Sequence, residues 1–187
     1  NEIFQIVKHN LSSPDYNSEF FSQLYSLHGK FLIEERSNVK NSVKKAAKFF
    51  KLSLEYDNNK KGTWRRWAYT NSLLFNEARK NNENTNEYAS NSLDGFLQLM
   101  KLKEENDLEY LLQILFFVCN GNDEVLEKYK DLIYQIPTQS MIKVLPQLTS
   151  NVSHHNLLVR NIISTVLIKA GKDYFQQVYF ALYPYIN

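Results

Sequence analysis

The length, composition and charge of this chain describe a folded protein and exclude several classes of function. At 187 residues, 43% of them hydrophobic and 14% aromatic, the chain can bury a large core. Disordered chains have fewer aromatic residues and a higher net charge. The net charge of +2 is too small to indicate that the whole chain binds nucleic acid.

The scarcity of turn residues and the spacing of apolar residues predict an all-α fold. Only five glycines and four prolines are present, whereas all-β folds need many tight turns. Apolar residues at helical spacing predict helices over residues 2–10, 18–35, 39–56 and 64–80, and Thr63 is the predicted N-cap of the fourth. The second helix is predicted to bury Phe20, Phe21, Leu24, Leu27, Phe31 and Leu32. The third is predicted to bury Val43, Ala46, Ala47, Phe50 and Leu54 and to carry Lys40, Lys44, Lys48 and Lys51 on another face.

An asparagine-rich segment at residues 81–91 separates two groups of predicted helices. Because asparagine favours turns, we predict a polar loop or insertion point there. Later helices are predicted over residues 92–102, 107–119, 123–135, 139–150, 157–170 and 173–182, with Thr138 and Asp173 as N-caps. Pro146 is predicted to kink the helix over residues 139–150, because proline lacks an N–H and clashes with the preceding turn.

Helices of this length with short connections are expected to form antiparallel hairpins that stack into an α-solenoid. Gly29, which follows Tyr25 and His28, and the Trp64-x-x-Trp67-Ala68 pattern resemble degenerate tetratricopeptide repeats. We therefore predict tetratricopeptide-like hairpins in residues 1–80, the polar loop in residues 81–91, and HEAT-like helical repeats in residues 92–187.

No sequence motif of catalysis or cofactor binding is found in the chain. The glycine-rich phosphate-binding motifs are absent, and so are the catalytic-loop and metal-binding motifs of protein kinases. His154 and His155 are adjacent, whereas metal-binding histidines on a helix are four residues apart, so we interpret them as turn residues. Cys119 lies in an apolar run and is interpreted as a buried, inert thiol that suits a reducing compartment. We predict no catalytic, cofactor-binding or metal-binding residue in this segment.

A basic segment and a pair of tryptophans are the two candidate interaction sites. Residues 39–67 contain nine Lys or Arg residues against two acidic ones: Lys40, Lys44, Lys45, Lys48, Lys51, Lys60, Lys61, Arg65 and Arg66. Such a segment can bind a polyphosphate, a nucleic acid or an acidic partner, and it can equally be a solvated helix face, which is the more common case. Trp64 and Trp67 can anchor a partner, but packing between repeats is the more common role.

Three sequence blocks carry a resemblance to a known family. The first is Trp-Arg-Arg-Trp-Ala-Tyr-Thr-Asn at residues 64–71, after Asp57. The second combines Leu-Asp-Gly-Phe at 93–96, Asn-Asp-Leu-Glu at 106–109 and Leu-Gln-Ile-Leu at 112–115. The third is Ile-Lys-Val-Leu-Pro-Gln-Leu at 142–148, followed by Leu158, Val159, Gly171 and Gln176. Over roughly residues 25–187 the chain resembles a divergent FAT region of the phosphatidylinositol-3-kinase-related protein kinases, most closely of the target-of-rapamycin type.

The resemblance implies a non-catalytic scaffold that wraps and regulates the kinase domain of a large Ser/Thr protein kinase in growth and nutrient signalling. ATP and Mg²⁺ would bind in that kinase domain, outside this segment. By resemblance, Lys45 would contact inositol hexakisphosphate. The implied partners are the protein's own kinase domain and the subunits of a large kinase complex, with no direct nucleic-acid contact and no membrane span.

Several alternatives stay open on the sequence. The parent protein can instead resemble relatives in DNA-damage signalling, mRNA surveillance or transcription coactivation, or the chain can be a free-standing helical-repeat adaptor. The expected location is cytoplasmic, nuclear or peripheral on endomembranes. Because Asn1 has no basic and apolar leader around it, the chain is expected to be a segment of a longer protein.

Overall fold

The fold is all-α, as predicted. The computed structural model describes residues 18–34, 39–102 and 107–186 of the chain, so the helix predicted over residues 2–10 lies outside the described residues. The described ranges contain no strand. Their helices are α1 (Ser18–Glu34), α2 (Val39–Tyr56), α3 (Lys61–Lys80), α4 (Asn86–Lys101), α5 (Asp107–Asn120), α6 (Asp123–Tyr134), α7 (Thr138–Ile142), α8 (Leu145–Ser150), α9 (Leu157–Asp173) and α10 (Phe175–Ile186).

The chain consists of two compact units, Asn1–Thr70 and Asn71–Asn187, and the boundary falls within α3. The sequence predicts the internal boundary of the chain in a loop over residues 81–91. The loop is shorter than predicted, because α4 begins at Asn86. The Asn84 side chain accepts a hydrogen bond from the Asn86 N–H at 2.9 Å, so this asparagine helps to begin a helix. The division into three regions of different repeat type stays a prediction.

The contact between α1 and α2 in the first unit combines small residues with stacked aromatic rings, so the predicted stripe of large residues is only partly correct. The Phe21 ring stacks on the Tyr56 ring with centroids 5.4 Å apart, and the Tyr25 ring stacks on the rings of Phe49 and Tyr56. Ser22, Tyr25 and Gly29 are the buried residues of α1. The Ser53 hydroxyl donates to the Ser22 carbonyl oxygen at 2.6 Å, and Gly29 lies directly against the ring of Phe50. By contrast, two members of the predicted stripe are exposed, Leu27 at 63% and Phe31 at 59%. The remaining members of the stripe are half-buried.

The core of the first unit lies between α2 and α3. Ala46, Phe50, Leu54 and Trp67 form a buried cluster, with Leu32 and Trp64 packed against it. The predicted apolar face of α2 is therefore confirmed, although Val43 is only half-buried. The predicted N-cap at Thr63 is wrong: α3 already begins at Lys61, and the buried Thr63 hydroxyl forms a hydrogen bond with that of Ser26 at 3.2 Å.

Aromatic rings form the centre of the second unit. The Phe117 ring of α5 lies with its centroid 5.0 Å from that of Phe75 on α3 and 6.5 Å from that of Phe96 on α4. Tyr129 on α6 donates from its hydroxyl to the Ser90 carbonyl oxygen at 3.1 Å, which joins α6 to α4. These buried rings fix the packing of α4, α5 and α6.

The helix predicted over residues 139–150 is two short helices instead of one kinked helix. α7 ends at Ile142 and α8 begins at Leu145, so Pro146 lies in the first turn of α8, where its missing N–H leaves no bond unmade. Thr138 is the first residue of α7 and not its N-cap. Its hydroxyl instead donates to the Asp173 carboxylate at 2.7 Å.

The end of α9 also differs from its prediction. The helix continues through Gly171 to Asp173, so Asp173 is its last residue and not the N-cap of α10. A Cβ atom at position 171 would lie 3.7 Å from the Val178 side chain of α10, which is an ordinary van der Waals contact, so the packing of the two helices does not require glycine there. Pro184 lies within the last turn of α10 instead of ending it earlier.

Several hydrogen bonds between helices of the second unit join residues that are 33 to 39 positions apart in sequence, while those between α3 and its neighbours span 20 residues (Ser72 to Ser92, Asn71 to Asn91) or 41 residues (Arg79 to Asn120). Asn122 caps α6 by accepting from the Val125 N–H, and its side chain also donates to Asn86 on α4. Asn156 caps α9 in the same way, and its side chain donates to Asp123 at 2.7 Å. The Lys169 ammonium donates to the Tyr134 carbonyl oxygen, and Thr138 donates to Asp173, each across 35 residues. Hydrogen bonds at this interval therefore connect α6 to α4, and α9 to α6 and α7.

Candidate functional site

The structure shows no metal-binding or nucleophilic site at His154, His155 or Cys119, the residues that were considered for such roles. In the part of the chain that the structure describes, no group of three or more His, Cys, Asp or Glu side chains is placed to hold a metal ion. His154 and His155 lie in the turn before α9, where the His154 ring nitrogen accepts a hydrogen bond from the Asn156 N–H at 3.2 Å. Cys119 was predicted to be buried but is half-buried, and this partial burial raises the pKa of its thiol.

Among the described residues, no helix is both long and apolar enough to cross a membrane. The longest helix, α3 with 20 residues, carries Lys61, Arg65, Arg66, Glu77, Arg79 and Lys80. A membrane-spanning helix needs about 20 consecutive, predominantly apolar residues.

The lysines of α2 form one surface, which we call the basic face: Lys44, Lys45, Lys48 and Lys51. The opposite side of α2 is held in the core through Ala46, Phe50 and Leu54, so the buried side fixes the direction in which the lysines project. Lys45, Lys48 and Lys51 are exposed and Lys44 is half-buried. None of the four forms a hydrogen bond or an ion pair with another described residue.

The spacing within the basic face places its lysines on neighbouring turns of α2. Lys44 and Lys48 are one turn apart, as are Lys48 and Lys51, while Lys45 is three residues from Lys48. Like charges at this spacing repel each other in the free protein, and an anion placed between them relieves that repulsion. Glu55, which is exposed near the end of α2, is the nearest carboxylate along the helix. The arrangement can hold a multivalent anion.

The remaining basic residues of the segment are divided between engaged and exposed side chains. Lys60 forms an ion pair with Asp57 at 3.7 Å and donates to the Glu19 carbonyl oxygen at 3.3 Å. Arg66 donates to the Gly62 carbonyl oxygen, whereas Lys61 and Arg65 are exposed. The Lys40 side chain lies outside what the structure describes. The contacts of Lys60 and Arg66 remove them from the candidate site, and the basic face is its largest group of lysines on one helix.

The two tryptophans belong to the core, which confirms the core-packing interpretation. Trp67 is 6% exposed, and the Trp64 ring packs edge-on against it with centroids 5.5 Å apart. The Trp64 indole N–H donates to the Asn58 carbonyl oxygen at 2.6 Å. This bond joins the start of α3 to the turn that precedes it.

An apolar groove on the second unit was not predicted from the sequence. It lies between α9 and α10 and has a volume of about 310 Å³. Its lining residues are Leu167, Ile168, Gly171, Lys172, Phe175, Val178, Tyr179 and Leu182. One signal in the sequence was available: residues 174–186 contain no charged side chain.

Comparison with known protein families identifies the chain. The FAT domain family matches residues 5–116, which is more than half of the sequence. The chain belongs to the FAT domain family. The match includes the basic face, both tryptophans and the first two sequence blocks that carry the resemblance, while the third block and the α9–α10 groove of this FAT segment lie beyond it.

The FAT segment is also similar to the serine/threonine-protein kinase mTor of Drosophila melanogaster. The two are 23% identical over 167 residues, which cover 76% of this chain and 7% of the relative. The chain thus spans a small part of that relative's length. Together with the family match, this similarity confirms the resemblance to a divergent FAT region of the target-of-rapamycin type.

Proposed function

We propose that this FAT segment is a non-catalytic helical scaffold within a large Ser/Thr protein kinase of the target-of-rapamycin type. The observation that carries the proposal is the FAT domain match over residues 5–116. The similarity to a mTor kinase agrees with it. The kinase domain, with its ATP and Mg²⁺, lies elsewhere in the parent protein, and the scaffold packs against that domain and regulates it in growth and nutrient signalling.

The proposed architecture is an α-solenoid of antiparallel hairpins, tetratricopeptide-like in residues 1–80 and HEAT-like in residues 92–187, with the polar segment at residues 81–91 between them. The support is the recurring interval of 33 to 39 residues between hydrogen-bonded positions in the second unit. Helical repeats of the tetratricopeptide and HEAT types have periods of about 34 to 47 residues. Because each repeat contacts its neighbours, a stacked array has a defined curvature, and this curvature sets the shape of the surface that packs against the kinase domain.

The proposed partners are the protein's own kinase domain and the protein subunits of a large kinase complex. We place the parent protein in the cytoplasm, in the nucleus or peripherally on endomembranes. A FAT segment from a DNA-damage, mRNA-surveillance or coactivator relative is the first alternative. A free-standing helical-repeat adaptor is the second.

Reading the parent transcript beyond Asn187 tests the proposal directly. We expect the reading frame to continue into a kinase domain with an intact catalytic loop and metal-binding motif, and the immunoprecipitated protein to phosphorylate Ser or Thr. A stop codon soon after Asn187 would contradict the kinase assignment and favour the adaptor. A kinase domain without its catalytic aspartate would favour the coactivator alternative.

We also propose that Lys45, with Lys44 and Lys48 beside it, contacts inositol hexakisphosphate. The support is the exposure of Lys45 and the convergence of several lysines that lack partners among the described residues. A highly charged anion gains most from several ammonium groups within one or two helical turns, because each contributes a charge-assisted hydrogen bond.

Charge reversal of Lys44, Lys45 and Lys48 to glutamate is expected to weaken inositol hexakisphosphate binding at least tenfold by calorimetry at constant salt. The matched control reverses Lys80, Lys101 and Lys128, which are exposed on the second unit and change the net charge equally. Equal losses in both variants would indicate non-specific attraction. Unchanged affinity in the first variant would sink the proposal, and binding of RNA in preference to the inositol phosphate would reassign the site.

A further inference from the structure

The connection between α5 and α6 contains the one Asn-Gly pair of the sequence. Asn120 is the last residue of α5, and Gly121 lies in the turn that follows it. The side-chain amide of an asparagine can be attacked by the backbone nitrogen of the next residue, and glycine obstructs this attack least because it has no side chain. Asparagine is for this reason among the thermolabile residues of proteins. The pair is a candidate for covalent modification of the chain by its own backbone.

The reaction consumes one water molecule and releases ammonia. The Gly121 amide nitrogen loses its proton and forms a bond to the Asn120 Cγ atom. The bond between Cγ and the side-chain nitrogen breaks, and this nitrogen takes up a proton from water and leaves as ammonia. Water then opens the resulting succinimide ring at one of its two carbonyl groups. The product at position 120 is aspartate or isoaspartate, whose main chain runs through Cβ, and both carry a carboxylate where Asn120 was neutral.

In the fold, hydrogen bonds engage both reacting groups. The Asn120 side-chain nitrogen donates to the Phe116 carbonyl oxygen at 2.8 Å, and its side-chain oxygen accepts from the Arg79 guanidinium at 2.7 Å. The Gly121 N–H donates to the Phe117 carbonyl oxygen at 2.8 Å. The attack requires the Gly121 nitrogen to give up its proton and the Asn120 amide to turn toward it. These bonds must therefore break before the reaction can begin.

Arg79 is the part of this arrangement that depends on tertiary packing. Phe116 and Phe117 belong to the same helix as Asn120, whereas Arg79 lies in the last turn of α3, 41 residues away in sequence. One turn before Arg79, the buried Phe75 ring packs edge-on against the rings of Phe116 and Phe117, with centroids 6.0 Å and 5.0 Å apart. Local opening of this contact between α3 and α5 would release the Asn120 amide from its charged donor.

We propose that Asn120 is a deamidation site, which the contact with Arg79 holds unreactive in the folded protein and which reacts when α3 separates from α5. Aspartate at position 120 would pair with Arg79 but could no longer donate to the Phe116 carbonyl oxygen. Isoaspartate would add a main-chain atom in a tight turn, where even a Cβ atom on Gly121 would lie 2.7 Å from the Phe117 carbonyl oxygen. The modification would therefore loosen the connection between α5 and α6, whichever kinase the segment belongs to.

Peptide mapping of the full-length protein by mass spectrometry tests the site. The protein is incubated at mildly alkaline pH, in buffer or in urea, and the aspartate and isoaspartate formed at position 120 are measured against time. We expect slow modification of the folded protein and fast modification in urea. Arg79→Gln is expected to speed the reaction in buffer about fivefold, because it removes the charged donor. The matched control is Lys80→Gln, which removes the same charge from an exposed neighbour and should keep the wild-type rate.

Every other result overturns the proposal. Equal rates in buffer and in urea would show that the fold gives no protection. An unchanged or lower rate in Arg79→Gln would show that Arg79 does not restrain the amide, and an equal gain in Lys80→Gln would indicate an effect of net charge. Asn122 and Asn161 in the same protein are internal references. An equal acceleration at these two positions in Arg79→Gln would mean that the whole fold has loosened, and not the contact between α3 and α5.

Discussion

Replacement of Ile163 by aspartate is expected to lower the free energy of unfolding of this FAT segment by about 4 to 5 kcal/mol. Ile163 is fully buried in α9, which packs against α6, α7, α8 and α10. The change removes a large apolar side chain and leaves a carboxylate in a site where no basic residue is buried nearby. The aspartate would have to be protonated or draw water into the core, and both cost stability.

Chemical denaturation of the 187-residue chain, followed by circular dichroism, measures this loss. Asn161→Asp is the matched control, because it places the same carboxylate on an exposed position of the same helix and should change stability by less than about 0.5 kcal/mol. On the function proposed above, Ile163→Asp in the full-length protein is expected to reduce kinase activity as the helical packing loosens, while Asn161→Asp is not. Wild-type melting and activity in the Ile163 variant would contradict both the packing of α9 and its role as a scaffold.

The elements that sequence reasoning predicted well are those whose local pattern agrees with their tertiary environment. α2 has the predicted bounds, because its apolar residues lie on one face and its lysines on another. Helix α5 ends one residue from its predicted end for a local reason: Asn120 and Gly121 interrupt the apolar pattern, and a side chain at Gly121 would collide with the Phe117 carbonyl oxygen. Amphipathicity identifies a helix, but it does not identify the partner of each face.

The errors arise where one side chain can serve two purposes. Thr63 and Thr138 are good N-cap residues by type, yet both are used in hydrogen bonds between helices, with Ser26 and Asp173 respectively. Pro146 was correctly recognised as incompatible with a helix interior, but a break between two helices and a kink in one helix have the same sequence signature. Choosing between such uses requires the tertiary contacts.

The candidate sites, too, could not be predicted fully without the tertiary contacts. The sequence identified a basic segment, but it could not separate Lys60, which is paired with Asp57, from the lysines of the basic face. It also could not show that α10 presents Phe175 and Phe180 to solvent, because an aromatic stripe usually indicates core. Exposure depends on which helices follow in the fold, and this information is not local.

Replacement of Gly29 by leucine is expected to destabilise the first unit by about 3 kcal/mol, whereas Leu27→Asp should be nearly neutral. A Cβ atom at position 29 would lie only 2.7 Å from the Phe50 ring. That ring is fully buried among Ala46, Leu54 and Trp67 and has little room to move. Leucine would therefore force α1 away from α2 and weaken the bond between Ser22 and Ser53.

The pair of variants decides between two descriptions of α1. If the large-residue stripe predicted from the sequence were correct, Leu27→Asp would be the damaging change and Gly29→Leu the tolerated one. Urea denaturation of both variants, monitored by tryptophan fluorescence from the core that contains Trp67, separates the two outcomes. Combining Gly29→Leu with Phe50→Ala should recover part of the loss, because the two side chains compete for one volume and their effects are then not additive. Strict additivity would show that Gly29 is required for a reason other than its contact with Phe50.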